Sequence, residues 1–205
     1  MKIAIIGTGN VGGALATIWS QKGHDINLGV RDINSFKGKE LLKNLNTSVY
    51  SISEAVQLSD VIVISTPAVS TIEVTKSLGN TKSKIIIDTM NTIMGKGAIG
   101  YNNTTSAILD HTETNDVVKC FNTTGANNLA DPKYGNQNLD AFVCGDSAKG
   151  KEIAIQLADD AGFAECYDVG GNDKFDLMEQ FAFFWINLAM FQKQGRNIGF
   201  KILKR

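Results

Sequence analysis

The chain has little of what most enzymes use for side-chain chemistry. Its 205 residues include only two histidines, three cysteines and two prolines. No Cys-x-x-Cys pair occurs, which removes the usual support for zinc binding or dithiol redox work. G-x-S-x-G, H-E-x-x-H and the P-loop are also absent, so no serine-hydrolase, zinc-protease or nucleoside-triphosphatase motif is present. His24 falls in the turn before the second expected strand and His111 at the end of a short helix; both are expected to be structural. Asp159 and Asp160 are neighbours on a helix and splay apart, which suits a solvated face rather than a carboxylate pair. Charge of one sign is missing too. Twenty Lys and Arg meet 21 Asp and Glu, for a net charge of −1, so nucleic acid is not an expected partner. Long hydrophobic runs are lacking: Phe181–Phe191, the most apolar segment, is broken by Asn187 and is too short to span a bilayer. No signal peptide is visible, since the first strand starts at residue 2. Cys120, Cys144 and Cys166 each lie in or beside an apolar run and read as small buried hydrophobes in a reducing compartment. The protein is expected to be soluble and cytoplasmic, with no metal.

Glycine is abundant, with 20 residues, and its placement carries the reading. Lys2–Ile6 is a short apolar, β-branched run that predicts a buried strand. Gly7, Gly9 and Gly12 follow as G-x-G-x-x-G, and Val11, Leu15, Ile18 and Trp19 then recur at helical spacing. The motif thus lies after a strand and opens a helix. Gly7 permits the tight turn, Gly9 lets the backbone approach a pyrophosphate, and Gly12 lets helix and strand pack closely. The free N–H groups of the helix start then face the anion.

The rest of the chain alternates in the same way. Strands are expected at 25–29, 48–52, 60–65, 84–88, 117–121, 141–144 and 164–169. Helices are expected over 36–45, from Ser53, over 69–78, 106–111 and 148–161, and over 175–191. Alternation of this kind predicts an α/β fold, a Rossmann-type doubly wound and mostly parallel sheet, with a small helical C-terminal part. Residues 1–170 are expected to form the nucleotide-binding domain. Residues 171–205 form the helical segment, apolar around most of its circumference and expected to contact a partner subunit. Residues 91–105 and 131–138 read as loops. Loops at strand C-termini tend to be functional. Lys201, Lys204 and Arg205 read as a frayed basic tail.

In NAD enzymes an acidic residue at the end of the second strand holds the ribose hydroxyls. Here that place holds Val30 and Arg31, and Arg31 lies nineteen residues after Gly12. A planar guanidinium suits the 2′-phosphate of NADP, with Ser35 and Lys37 available to help and Asp32 still able to reach a ribose hydroxyl. NADP is therefore favoured over NAD. Ser65, Thr66 and Pro67 end the fourth strand beneath the expected adenosine half, and Asn91 follows the fifth near the nicotinamide.

Several segments resemble the NADP oxidoreductases that use the 8-hydroxy-5-deazaflavin coenzyme, and the oxidoreductase domain of the six-transmembrane metalloreductases. They are IIGTGNVGGALA (5–16), NLGVRD (27–32), DVIVISTP (60–67), IIIDTMN (85–91), VVKCFNTTGANNL (117–129), FVCGD (142–146) and the tail FWINLAMFQKQGRNIGFKIL (184–203). The resemblance implies a Rossmann domain followed by a small helical part that often supports a dimer. It implies that Thr8, Gly9, Asn10 and Val11 hold pyrophosphate and that Val30 and Arg31 hold the 2′-phosphate. Two positions depart from the pattern. Val30 stands where the family often has Ser or Thr. Asn122 stands where the deazaflavin enzymes can carry histidine and the metalloreductase-like members show Asn, which opens the acceptor to a flavin or another small molecule. The expected activity is hydride transfer between NADP(H) and a deazaflavin or flavin-type acceptor, with Asn122 and Thr123 shaping the site and no side chain acting as a catalytic group. Two alternatives stand beside it: a reductase of small imines or carbonyls, and a non-catalytic NADP(H) sensor.

Overall fold

The computed structural model describes residues 1–205. β1 (Lys2–Ile6) turns at Gly7 into α1 (Asn10–Gln21), and Gly23, with φ of 83°, ends that helix and returns the chain to β2 (Asp25–Val30). The alternation continues through β3 (Thr47–Ser51), α2 (Ile52–Gln57), β4 (Val61–Ile64), α3 (Thr71–Ser77) and β5 (Ile85–Asp88). A loop then leads to α4 (Thr104–Asp110), β6 (Val117–Cys120) and α5 (Ala126–Ala130). A small hairpin pairs β7 (Lys133–Tyr134) with β8 (Gln137–Asn138). The chain closes with β9 (Ala141–Cys144), α6 (Ala148–Asp160), β10 (Cys166–Gly170) and α7 (Phe175–Ile186), which runs on into a π turn at Asn187–Phe191.

Eight strands form one sheet in the order β10-β9-β6-β5-β4-β1-β2-β3. Every adjacent pair is parallel except β6 with β9, so the expected mostly parallel, doubly wound α/β sheet is present. The near-continuous apolar strands are explained by burial on both faces. Ile3, Ile5, Val61, Val63, Ile85 and Ile87 point into one core; Ala4, Ile6, Ile62, Ile64 and Ile86 point into the other. The order reverses between β1 and β4, and a crevice at such a switch point lies outside the strands' carboxyl ends. No helix is long and apolar enough to cross a membrane.

Several local expectations are corrected. The helix over 36–45 shrinks to a 3-10 turn at Lys39–Lys43, because Gly38 sits at φ of 92° and breaks it. Leu41 is buried there, but Leu42 and Leu45 face solvent. The second helix starts at Ile52 rather than at Ser53, since Ser51 and Glu54 form a reciprocal capping box, a device worth about 1 kcal/mol. The loop expected at 131–138 contains the β7–β8 hairpin, and α5 went unread because five residues are too few to show a helical period. Asp160 is not simply solvated: it accepts from His24 Nε2 at 3.0 Å, and His24 is buried.

The tail is not frayed either. Lys201 pairs at 2.6 Å with Asp140, whose side chain is fully buried. The Ile202 N–H donates to the same carboxylate at 2.7 Å, and the Ile198 carbonyl accepts from both Trp185 Nε1 and Asn128 Nδ2. Lys204 lies over the Tyr167 ring. Phe175 and Met178 of α7 pack with Phe142 and Cys144 of β9 in a third cluster. All three thiols are free. Burial pushes the Cys144 thiol up to about 12 and raises Cys120 as well, so neither is a nucleophile at neutral pH.

Candidate active site

The glycine turn is built by contacts that leave no room for side chains. A Cβ on Gly12 would lie 1.9 Å from the Gly7 carbonyl oxygen and 2.4 Å from Ser65 Oγ. Ser65 Oγ in turn donates to the Gly7 carbonyl at 2.9 Å, which locks the turn to the end of β4. Gly9 differs: a Cβ there would meet nothing within 4 Å. Gly9 is also the N-cap of α1, with no side-chain cap, and the first turn holds no acidic residue. The positive end of a twelve-residue helix therefore faces open space with its N–H groups free, which is an anion site in waiting.

That space is a cleft of about 790 Å³ at the β1–β4 switch point. Gly7, Thr8, Gly9, Val30, Arg31, Ser65, Thr66 and Pro67 all line it, as do Asp32, Ser35 and Lys37. Arg31 and Lys37 are exposed and make no ion pair. Thr8 Oγ1 donates to the Lys37 carbonyl and so ties the glycine turn to that basic loop. Sequence reading had not named Phe36, Ile52, Glu73 and Val74 as lining the cleft. The signal was available, because α3 starts just past the end of β4, where ligands of such sheets lie.

A second cleft, of about 610 Å³, shares Ser65, Thr66 and Pro67 with the first. Val11, Val69, Met90, Asn91, Ile93, Met94 and Lys96 complete most of its wall. Of the expected site residues, Asn91 lies here, but Asn122 and Thr123 do not line either cleft and are buried. Asn122 stands behind Asn91. Asn91 Nδ2 donates to the Asn122 carbonyl, and Asn122 Nδ2 donates to Asn91 Oδ1, both at 2.9 Å. Phe121 turns the chain into this pair with φ of 59°, while its own ring packs edge-on against Trp19. A bulky residue in that region is uncommon. Asn122 Oδ1 is buried and has no partner, the kind of orphan found beside functional sites. Asn10 is exposed at the start of α1 and Gly12 is buried; neither lines a cleft.

Beneath the second cleft lies a charged cluster that sequence reading missed. Asp88 and Lys119 are register neighbours on β5 and β6. Lys119 Nζ contacts Asp88 Oδ2 at 2.7 Å and Glu179 Oε1 at 3.0 Å, and all three side chains are buried. Thr104 and Thr105 also donate to Asp88, at 2.5 and 2.7 Å. Burial alone would lower the Lys119 pKa, but the two carboxylates outweigh it and hold it above the usual lysine value. Glu179 does more. It accepts from the Thr92 N–H at 2.8 Å and from the Thr104 N–H at 3.1 Å. One carboxylate on α7 thus pins both ends of the loop that carries Ile93, Met94 and Lys96.

These residues fit a dinucleotide with an extra phosphate. The uncapped helix start offers free N–H groups to one anion, and the Arg31–Lys37 end of the cleft offers two unpaired cations to another. Comparison with known proteins places the chain among similar folds. Residues 2–92 match the family model described as NADP oxidoreductase, coenzyme F420-dependent. No curated protein matches the chain. Among solved structures, a protein described as an F420-dependent NADP reductase from Arthrobacter sp. FB24 is 23% identical over the whole of both chains, with a TM-score of 0.85. An imine reductase from Pseudomonas sp. is 16% identical with a TM-score of 0.70, covering 93% of this chain and 62% of that one. A reductive aminase from Aspergillus terreus, solved with NADPH and ethyl-5-oxohexanoate, is 14% identical with a TM-score of 0.66, covering 94% and 62%. At these identities the structural likeness is one of fold. The residues matched by that family model, 2–92, build the glycine turn, the basic loop and the β4 and β5 edges of both clefts.

Proposed function

We propose that the chain is an NADP(H)-dependent oxidoreductase that passes hydride between nicotinamide and a deazaflavin or flavin-type ring. The observation that carries this is the pair of clefts joined at Ser65–Thr66–Pro67. One cleft has the anion-binding features of a nucleotide site, and the other is a largely apolar space beside it. When bound, the nicotinamide supplies or accepts the hydride. The chain's own residues then bind and orient. The Thr8–Val11 backbone and the start of α1 hold the pyrophosphate, and Arg31, with Lys37 and Ser35, holds the 2′-phosphate. Ser65 fixes the glycine turn. Thr66, Pro67 and Asn91 form the shared wall along which two flat rings can lie face to face. Asn122 acts from behind, by holding Asn91, and Thr123 follows it in the buried turn. No titratable side chain lines the second cleft except Lys96, which suits a transfer that needs alignment and exclusion of water rather than proton relay.

Residues 1–170 serve as the nucleotide-binding domain in this reading. Residues 171–205 brace the loop of the acceptor side through Glu179 and supply a homodimer contact. Reduction of a small imine or carbonyl is the second reading, supported by the fold likeness to imine reductases. Purified protein with NADPH, followed by the absorbance of the reduced nicotinamide against deazaflavin, flavin mononucleotide, cyclic imine or no acceptor, tests both. NADPH consumption with a ring acceptor and none with the imine supports the first. The reverse supports the second, and tight NADPH binding without turnover on any acceptor would leave a sensor.

A further inference from the structure

We propose that Lys96 forms an anion subsite at the mouth of the second cleft, which selects ring acceptors whose side chain carries a negative group such as a phosphate. This inference rests on the ring-acceptor reading above. Lys96 is the one charged residue in the wall of that cleft, and its neighbours Val11, Pro67, Val69, Met90, Ile93 and Met94 are apolar. Lys96 is exposed within this apolar wall, so its ammonium is free to meet a ligand. It makes no ion pair and no side-chain hydrogen bond, whereas Lys84, Lys119, Lys151 and Lys201 each have a protein acceptor. The two acids that share a recess with Met94 are already committed: Asp176 accepts from Asn103 Nδ2 at 2.6 Å, and Glu179 serves Lys119 and the loop ends. The phosphates of the nucleotide have their own donors in the first cleft, at the start of α1 and around Arg31. Lys96 is therefore a surplus cation on the acceptor side.

Its position is also fixed. The Lys96 N–H donates to the Ile93 carbonyl at 3.0 Å, and the two residues bridge as a minimal antiparallel pair. Met94 and Gly95 between them both have positive φ, 52° and 73°, the pattern of the tight primed turns that fold a chain straight back on itself. A methionine at such a φ is retained only where the surroundings impose it. Glu179 anchors the base of the same loop at Thr92 and Thr104. The turn therefore presents Lys96 to the cleft as a built feature. A compact ammonium on a flexible stem is a common phosphate partner.

The test compares flavin mononucleotide with riboflavin, which differ by one phosphate, and the matching pair of 5-deaza analogues. Binding is read by fluorescence on the NADP⁺-loaded protein, turnover by NADPH oxidation, and NADPH affinity separately. Wild type should favour the phosphorylated member of the pair that it uses by about tenfold in both Kd and kcat/KM, the scale of one charge-assisted contact. Lys96→Met should abolish that preference, and Lys96→Glu should reverse it. Riboflavin affinity and NADPH affinity should stay within about twofold. Raising salt should shrink the wild-type preference and leave the Lys96→Met protein unaffected. Equal use of both members by wild type, or a preference that survives Lys96→Met, would overturn the subsite and leave the ring-acceptor reading standing. Failure of wild type to bind or reduce any of the four rings would remove that reading and the subsite with it.

Discussion

At the scale of single residues, the glycines of the first turn divide by what a methyl group would meet. Gly12 is a packing glycine, because its Cβ would sit inside the Gly7 carbonyl. Gly9 is a ligand glycine, because its Cβ would point into the open cleft from an ordinary extended backbone. The two substitutions should therefore separate. Gly12→Ala is expected to destabilise the fold by about 3 kcal/mol, since overpacking against backbone cannot relax cheaply. Gly9→Ala should leave the melting temperature nearly unchanged and weaken NADPH binding about tenfold or more. Thermal melts with and without NADPH distinguish them. Arg31 invites a second prediction at this scale. It is exposed, lines the cleft and has no carboxylate partner. Arg31→Glu should raise the NADPH Kd by about a hundredfold, the loss of a bidentate charge-assisted contact plus repulsion, and alter the NADH Kd less than threefold. Equal losses for both nucleotides, measured by calorimetry, would remove the 2′-phosphate role.

At the scale of elements, the strand and helix order was legible because its signals are local. Strand parity and a glycine turn can each be read within a dozen residues, and the sheet with its first cleft follows from them. The misses are non-local or conformational. Gly38 could not be known to be left-handed from composition, so a helix was expected over 36–45. Asn122 and Thr123 were named as shaping the site, but both are buried and line neither cleft, and only Asn122 is bonded to Asn91; burial of this kind depends on how distant segments pack. The Asp88–Lys119–Glu179 cluster joins β5, β6 and α7 across almost half the chain. Its one sequence trace is a lone charge in each of two otherwise apolar strands, Asp88 in β5 and Lys119 in β6. That cluster carries the prediction proper to this scale. Lys119→Met would leave two buried carboxylates facing each other with no cation, and breaking such a pair costs about 3–5 kcal/mol. Urea denaturation should show the loss, and adding Glu179→Gln should recover part of it by removing one of the charges. The pH dependence has a fixed sign. The folded Lys119 pKa is raised, so its contribution is complete below the ordinary lysine value of about 10.4 and is lost only as pH rises through the elevated folded value. The gap in stability between wild type and Lys119→Met should hence stay constant from neutral pH to about pH 9.

At the scale of the whole molecule, the two ends of the sheet are finished differently. The N-terminal half is covered on both faces by its own helices, and its cores are closed. The C-terminal helix is half finished. Phe175, Met178, Ala182, Trp185 and Ala189 are buried against the chain's own body, as a single apolar stripe would require. The opposite side of the same segment still shows Leu177 at 51%, Phe184 at 51%, Met190 at 48% and Phe191 at 52% exposure. Phe183 and Phe191 lie edge to face across the π turn. Exposed apolar groups gathered on one helix are the usual mark of an interface, and the carbon count of that face is wasted in a monomer. The proposed homodimer through this face makes a direct prediction. Light scattering should give about twice the chain mass of 22.1 kDa. Met190→Glu combined with Phe191→Glu should shift the mass to that of one chain, because two carboxylates per subunit would be desolvated at the contact. NADPH affinity should remain, since neither residue lines the nucleotide cleft. A single-chain mass for the unaltered protein at high concentration would show that α7 and its π turn face water rather than a second copy.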